Sequence, residues 1–408
     1  MVEYLTQLSL FAIILIVGIS VTYFSSKIKL PDVLLLLLVG LFFGYSKFIT
    51  PDQIIPTGIL TSLSIFALIM IVFVSTSNFK LEEVKQLSPY ALKVSFIFLF
   101  ACLLFLTLFT QLLFSENIFI LKTFLLSLLF SALMAGTAPD IILSAVSNAK
   151  NKIIKILQFE SILNTPLTVL IPLIIIDFYF EKFQAGIFLI KFLQQIMTGL
   201  GAGLLLGYIS IFILKKIDSE EISPILIIAL ILGIYSISES ISGNGILAIT
   251  TFGLIFGRSQ IRSKIKLQKF ESLFTEFLRI IIFILIGATI ILPLDITFLI
   301  KSIILFILYI IIRFLAINIT FDKSKLKIKE KLFMAFNAPK GLATAVVIFT
   351  LNTFKLEAMT TILQLSLAFM LYSVLLSTIV IKFEDKFIKL KENQKTVLKR
   401  LKSNKQKA

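Results

Sequence analysis

The sequence contains no histidine, no tryptophan and a single cysteine. Without histidine, the usual proton shuttle at neutral pH and the commonest transition-metal ligand are both missing. Any proton chemistry therefore falls to carboxylates or lysines. A lone Cys102 excludes an intramolecular disulfide and a thiolate metal cluster. Charge is scarce as well. Only 15% of residues are charged, against about 25% in a soluble domain. Hydrophobic residues make up 58% of the 408, and the mean hydropathy is +1.03. Apolar runs long enough to cross roughly 30 Å of hydrocarbon recur along the chain, with no gap of soluble-domain size between them. A separate nucleotide-binding or regulatory domain has no place here. No phosphate-binding loop and no nucleophile–base pair of the hydrolase kind is present, which argues against ATP-driven pumping and against an enzyme. The glycines Gly199, Gly201, Gly203 and Gly207 lie in a membrane run with no preceding strand, so they read as close helix packing rather than a dinucleotide loop.

What is present is an all-α pattern. Polar breaks and Pro/Gly clusters divide the chain into thirteen spans, near 7–26, 32–48, 56–76, 88–113, 120–147, 153–176, 188–214, 224–241, 244–257, 271–292, 296–320, 331–352 and 358–381. The division between 224–241 and 244–257 is the least marked. The first run follows Glu3 without a basic leader or a small-residue cleavage site, so a retained helix is expected. The net charge of +16 is a matter of placement rather than a nucleic-acid footprint. Lys27, Lys29, Lys150–Lys155, Lys215, Lys216, Arg258–Lys269, Lys323–Lys331 and the tail fall in alternate loops. The intervening loops carry only Lys47, Lys122, Lys182, Lys191, Lys301 and Lys355. The positive-inside rule then predicts an outside N-terminus, a cytoplasmic C-terminus and a cell-membrane location. The basic tail 382–408 is either spread on anionic headgroups or a solvated topogenic tail.

Two segments resemble each other, with their prolines 200 positions apart: Gly136-Thr137-Ala138-Pro139-Asp140 and Phe336-Asn337-Ala338-Pro339-Lys340. Each interrupts an apolar span and carries a charge directly after the proline. Proline removes a backbone donor and clashes with the preceding turn, so both helices should break at Pro139 and Pro339. Unwound backbone is tolerated inside a membrane only within protein or beside a water-filled cavity. Paired interruptions in two halves of a chain point to a transport site. If the breaks cross, half-helix ends of both signs meet there; Asp140 would offset the positive ends and Lys340 the negative ones. Simple proline kinks with a packing ion pair are the plainer alternative, but a kink needs no charge at the bilayer centre.

The following span holds Glu160, Ser161, Asn164, Thr165 and Thr168. Helical spacing puts Glu160 and Asn164 on one face, with Ser161, Thr165 and Thr168 on the adjoining stripe. A carboxylate flanked by hydroxyl and amide oxygens suits a proton or an alkali cation rather than a soft metal. The neutral members alone would also fit a helix–helix hydrogen-bond cluster. Arg313 lies mid-span and needs a deep acid, either Glu160 or Asp140; its role is bracing or direct ion handling. Glu276 and Arg279, one turn apart, suggest a local ion pair, and Glu239 a solvated position.

These residues together give a resemblance. The chain is similar to monovalent cation:proton antiporters of the NhaP type over essentially its whole length. The resemblance rests on Thr137–Asp140, Glu160-Ser161 with Asn164, Gly245–Ala248 leading to Gly253 and Gly257, Phe277–Gly287, Arg313, and Ala338-Pro339-Lys340-Gly341. It implies two inverted repeats with crossed broken helices in one transmembrane unit, 1–381. Core helices would be about 88–176 and 296–381, and dimerisation helices about 1–76 and 188–292. It also implies a homodimer in the lipid bilayer, no resident cofactor, and exchange of Na⁺ or K⁺ for H⁺ at a site where both compete. The ion- and proton-binding set would be Asp140, Glu160, Thr137, Ser161, Asn164 and Thr165, with Asp140 and Glu160 as the acids meeting Na⁺ or K⁺. Arg313 and Lys340 would be supporting charges. Two positions depart from the family pattern. Its Thr-Asp-Pro is here Thr137-Ala138-Pro139 with the acid moved to Asp140, and the aspartate that follows its asparagine is here Thr165. A same-fold carrier of another solute, or one uncoupled from protons, is therefore a second reading, and a non-transporting membrane sensor or scaffold a third.

Overall fold

A computed structural model describes residues 2–28, 30–46, 57–77, 81–115, 120–138, 152–180, 185–217, 221–261, 264–322, 326–352, 354 and 356–387. Every element among these residues is helical. In chain order they are α1 (Val2–Ile28), α2 (Asp32–Tyr45), α3 (Thr57–Ser77), α4 (Leu81–Ala101), α5 (Thr107–Phe114), α6 (Leu121–Ala135) and α7 (Lys152–Phe180). They continue with α8 (Ala185–Ile217), α9 (Ser223–Ser240), α10 (Gly245–Arg258), α11 (Lys264–Thr289), α12 (Ile296–Thr320), α13 (Ile328–Phe336), α14 (Leu342–Asn352), α15 (Glu357–Lys382) and the short α16 (Glu384–Phe387). A π-helical turn, Cys102–Leu106, joins α4 to α5 as one rod, and α13 and α14 are two halves of one span. Counted so, and leaving out α16, thirteen helical units match the thirteen expected spans.

The structure moves several boundaries. The rod expected to begin near residue 88 begins at Leu81 and carries Pro89 inside it. The span expected from 271 begins at Lys264. In both cases the added turns are polar and helical, so a hydropathy reading stops short of them. The two units on either side of residue 243 are distinct helices. Ser242 takes a left-handed φ of 58°, the Asn244 side chain caps α10 by accepting from Leu247 N–H at 2.9 Å, and the Glu239 carboxylate accepts from Gly245 N–H at 2.8 Å. Glu239 is thus exposed but engaged in the turn.

Glycine decides where helices touch. On α8, a Cβ at Gly199 or Gly203 would lie 2.5 Å from the Asn244 or Ala248 carbonyl of α10, whereas one at Gly201 would meet nothing within 4 Å. Met197, Leu205, Tyr208 and Phe212 of α8 are exposed and apolar, as a lipid-facing surface requires. α2 lies just as close to α11, where a Cβ at Gly287 would sit 2.5 Å from the Leu37 carbonyl. Arg279 of α11 bonds Glu276 one turn away and also Asp32 at the start of α2, at 2.7 Å. α4 to α7 and α12 to α15 pack around the two helix breaks, and α3 and α11 connect that group to α2 and α10.

Replacing Gly287 by valine drives a side chain into the α2 backbone. Such overpacking costs about 1–3 kcal/mol, so the thermal midpoint of the detergent-solubilised protein, followed by circular dichroism, should fall. Gly201→Ala should leave it unchanged.

Candidate functional site: the crossing of two broken helices

α6 stops at Ala135, and Gly136 leaves it with an extended backbone (φ −70°, ψ 148°). α13 stops at Phe336, and the chain stays non-helical from Asn337 to Gly341 before α14 begins. The two interruptions touch. Ala138 N–H donates to the Pro339 carbonyl at 2.9 Å, so each break supplies what the other lost when its helix ended. Gly341 faces the Ala138 methyl so closely that a Cβ would overlap it, and a Cβ at Gly136 would lie 2.5 Å from the Thr168 side chain. Pro139 and Asp140 lie outside the described residues.

The expected charges occupy two separate places. Lys340 is fully buried. Its ammonium donates to the Met134 carbonyl, to the Gly136 carbonyl at 2.7 Å and to the Tyr309 hydroxyl at 2.6 Å, and it lies 4.4 Å from the Tyr309 ring centroid. Met134 and Gly136 provide the free carbonyls at the C-terminal end of α6, the negative pole of its dipole. The Lys340 N–H is itself held by Ser373 Oγ at 3.1 Å. Among the described residues no carboxylate lies within ion-pair distance of Lys340.

Glu160 of α7 and Arg313 of α12 form the second centre, both fully buried. The guanidinium takes both carboxylate oxygens in a forked pair, with Nη2 to Oε2 at 2.7 Å. Phe98 of α4 covers it 4.5 Å from the ring centroid. Of the two acids expected to face Arg313, Glu160 is therefore its partner. The forked pair engages both carboxylate oxygens of Glu160.

Between these centres lie the neutral oxygens. Ser161 Oγ donates to the Thr137 carbonyl at 2.7 Å, tying α7 to the first break. The hydroxyls of Thr165 and Thr168 each bond back to their own helix, onto the carbonyls of Ser161 and Asn164, at 2.8 Å. Three buried polar atoms at the crossing have no partner: Thr137 Oγ1, Asn164 Nδ2 and Asn337 Oδ1. Each costs about 1–3 kcal/mol if left bare, which is a reason for a guest bearing charge or hydrogen bonds. Tyr309, Ser373 and Phe98 are site residues that the sequence did not single out. The available signal was Tyr309 standing one helical turn before Arg313 in an apolar span.

Residues 11–383 match the family model described as sodium/hydrogen exchanger, transmembrane. The chain belongs to the sodium/hydrogen exchanger family. It is a multi-pass secondary antiporter of monovalent cations and protons, not an enzyme. Among its relatives, Na(+)/H(+) antiporter 1 of Methanocaldococcus jannaschii is 25% identical over 370 residues, covering 86% of this chain and 84% of that protein. A probable Na(+)/H(+) antiporter 2 of the same organism is 24% identical over 292 residues, 68% of each chain. The solved structure of the sodium proton antiporter MjNhaP1 of that organism superposes with a TM-score of 0.79 at 22% identity, covering 92% of this chain and 99% of that one. The antiporter fold expected from the sequence is thereby established.

Removing one partner of the Glu160–Arg313 pair leaves a bare charge in the membrane interior and costs about 3–5 kcal/mol. Glu160→Leu and Arg313→Met should each lower the thermal midpoint strongly, and the double replacement should recover most of the loss. A double variant as unstable as the singles would show that the pair is not a closed unit.

Proposed function

We propose that exchange takes place at the crossing, where Asp140 and the oxygens of Thr137, Ser161, Asn164 and Thr165 receive the cation and Asp140 carries the competing proton. The observation that supports it is the direct backbone bond between the breaks, Ala138 to Pro339, with orphaned polar atoms of Thr137, Asn164 and Asn337 around it. Thr165 supplies a hydroxyl where the family pattern has a carboxylate, so the burden of charge moves to Asp140 on the break itself. A protonated carboxyl loses its attraction for a cation, and one site then serves two ligands in turn. Lys340 sharpens that competition. Its ammonium sits on carbonyls of the first break, so a cation arriving there meets a like charge unless the acid offsets it. Glu160 and Arg313, closed upon one another, brace α7 against α12 and keep the oxygen face of α7 turned to the crossing.

Na⁺ is the cation assigned, in keeping with the names of the relatives, with K⁺ as the comparison. The orientation follows the lysine pattern, N-terminus outside and C-terminus in the cytoplasm of a cell-membrane protein. The working unit is a homodimer, with helices about 1–76 and 188–292 as its scaffold and the helices around the breaks as its core.

Purified protein in proteoliposomes should dissipate an imposed pH gradient when NaCl is added. Asp140→Asn should abolish the response. Thr137→Val, removing one ligand oxygen worth about 1–1.5 kcal/mol, should raise the half-saturating Na⁺ concentration roughly tenfold. Silence of the unmodified protein toward Na⁺, K⁺ and Li⁺ across the neutral range, or full exchange by Asp140→Asn, would overturn the reading.

A further inference from the structure

The end of the core that the lysine pattern assigns to the cytoplasm carries a cation that the crossing does not use. Lys331, in the first turn of α13, is only 9% exposed. Its ammonium reaches across to α12 and donates to Asn318 Oδ1 at 2.7 Å. Among the described residues no carboxylate lies within ion-pair distance of it. The neighbouring Glu330 is turned back to accept from the Lys327 N–H at 2.8 Å. An ammonium has three donors and a full charge, so one neutral amide leaves it short of partners and costly to bury. Asn318 is itself exposed, and among the described residues only its Oδ1 is engaged. Asn318 also ends a stripe. Ile304, Ile307, Ile311 and Leu315 are all exposed, and with Asn318 they follow the spacing of one helix face. At 1.5 Å per residue this apolar track is roughly 20 Å long, enough to cross the roughly 15 Å of one leaflet. At its polar end, Tyr90 of α4 stacks on Phe321 with ring centroids 5.4 Å apart. An exposed tyrosine of this kind marks the headgroup level. The inner side of the corner is closed, where Ile317 and Phe321 pack with Phe333, Met334 and Ala335.

We propose that Lys331 and Asn318 hold the phosphate of one anionic phospholipid, whose acyl chain lies along Leu315, Ile311, Ile307 and Ile304. Phosphate oxygens accept from the two remaining ammonium donors and from the free end of the Asn318 amide, and charge-assisted bonds of this kind are among the strong ones. Lys327 and Lys329, both exposed at the same end of α13, add positive potential around the site. They favour a headgroup of net negative charge, because a zwitterionic one brings its own ammonium toward them. α13 leads from Lys331 directly into the break that presents Lys340, so a lipid held here rides on the core rather than on the scaffold. That the leaflet is the cytoplasmic one rests on the orientation proposed above; the site itself does not.

Native mass spectrometry of the full chain, released from detergent with added phosphatidylglycerol or phosphatidylcholine, reads the site directly. The unmodified protein should retain one phosphatidylglycerol with a roughly tenfold preference over phosphatidylcholine. Lys331→Gln keeps a donor for Asn318 but removes the charge, and should abolish the preference; if it does not fold, Lys331→Met carries the same test. Lys331→Arg should keep the preference. So should Lys216→Gln, which removes an exposed charge from the last turn of α8. Equal retention of the two lipids by the unmodified protein, or an unchanged preference once the Lys331 charge is gone, overturns the site. Displacement of phosphatidylglycerol by inorganic phosphate at equal concentration would place the affinity in the headgroup alone and overturn the acyl track. Oxidative cross-linking of Leu315→Cys between copies in liposomes would give the stripe to a second copy, and overturns it too. None of these readouts measures transport, so silence in the exchange assay would sink the crossing and leave this site standing.

Discussion

A helix that stops in the middle of a bilayer leaves carbonyls and amides that lipid cannot satisfy, and the rest of this site is an answer to that problem. The Ala138 N–H reaches the Pro339 carbonyl, so one break repairs the other. The Lys340 ammonium takes the remaining carbonyls at the end of α6. Neither repair works without the other, because the backbone bond positions the lysine and the lysine neutralises the pole of the helix that the bond leaves open. Gly136 and Gly341 keep the backbones within reach of each other. The hydroxyl face of α7 then meets a fixed partner, the Thr137 carbonyl, through Ser161.

The forked Glu160–Arg313 pair plays a different part. A guanidinium and a carboxylate closed upon each other carry no net charge, and Phe98 covers the flat face of the cation. Such a pair tolerates burial where either member alone would not. It joins α7 and α12, helices from opposite halves of the chain. Two charge centres thus share one small volume with different degrees of freedom, one closed and one resting on dipoles.

Much of this was legible in the residues themselves. Two Ala-Pro-charge interruptions in apolar spans gave away the breaks, since proline in a membrane helix has few other reasons to stand beside a charge. Arg313, alone in mid-span, required a deep acid, and Glu160 was one of two available. Glu160 and Asn164, with the Ser161, Thr165 and Thr168 hydroxyls beside them, showed a polar face by spacing alone. Phe98 was not legible, because an aromatic residue in an apolar helix has no pattern to distinguish a wall from a functional contact, and Tyr309 had only its place one turn before Arg313 to mark it. The polar first turns of α4 and α11 escaped for the opposite reason, being helical without being hydrophobic. The π turn left no sequence signal that hydropathy could register.

That turn has a consequence for the geometry of the whole rod. An α-helix advances about 100° per residue, so one extra residue in a turn rotates everything beyond it by that angle. Phe98, before the turn, faces Arg313; Gln111, beyond it, faces Ser127. On an uninterrupted α-helix these two contacts would point in different directions from those they now take, and one of them would have to be given up. The insertion is what lets a single rod serve two neighbours at two depths. Its length in residues, more than its composition, is the quantity that the contacts of this helix hold constant.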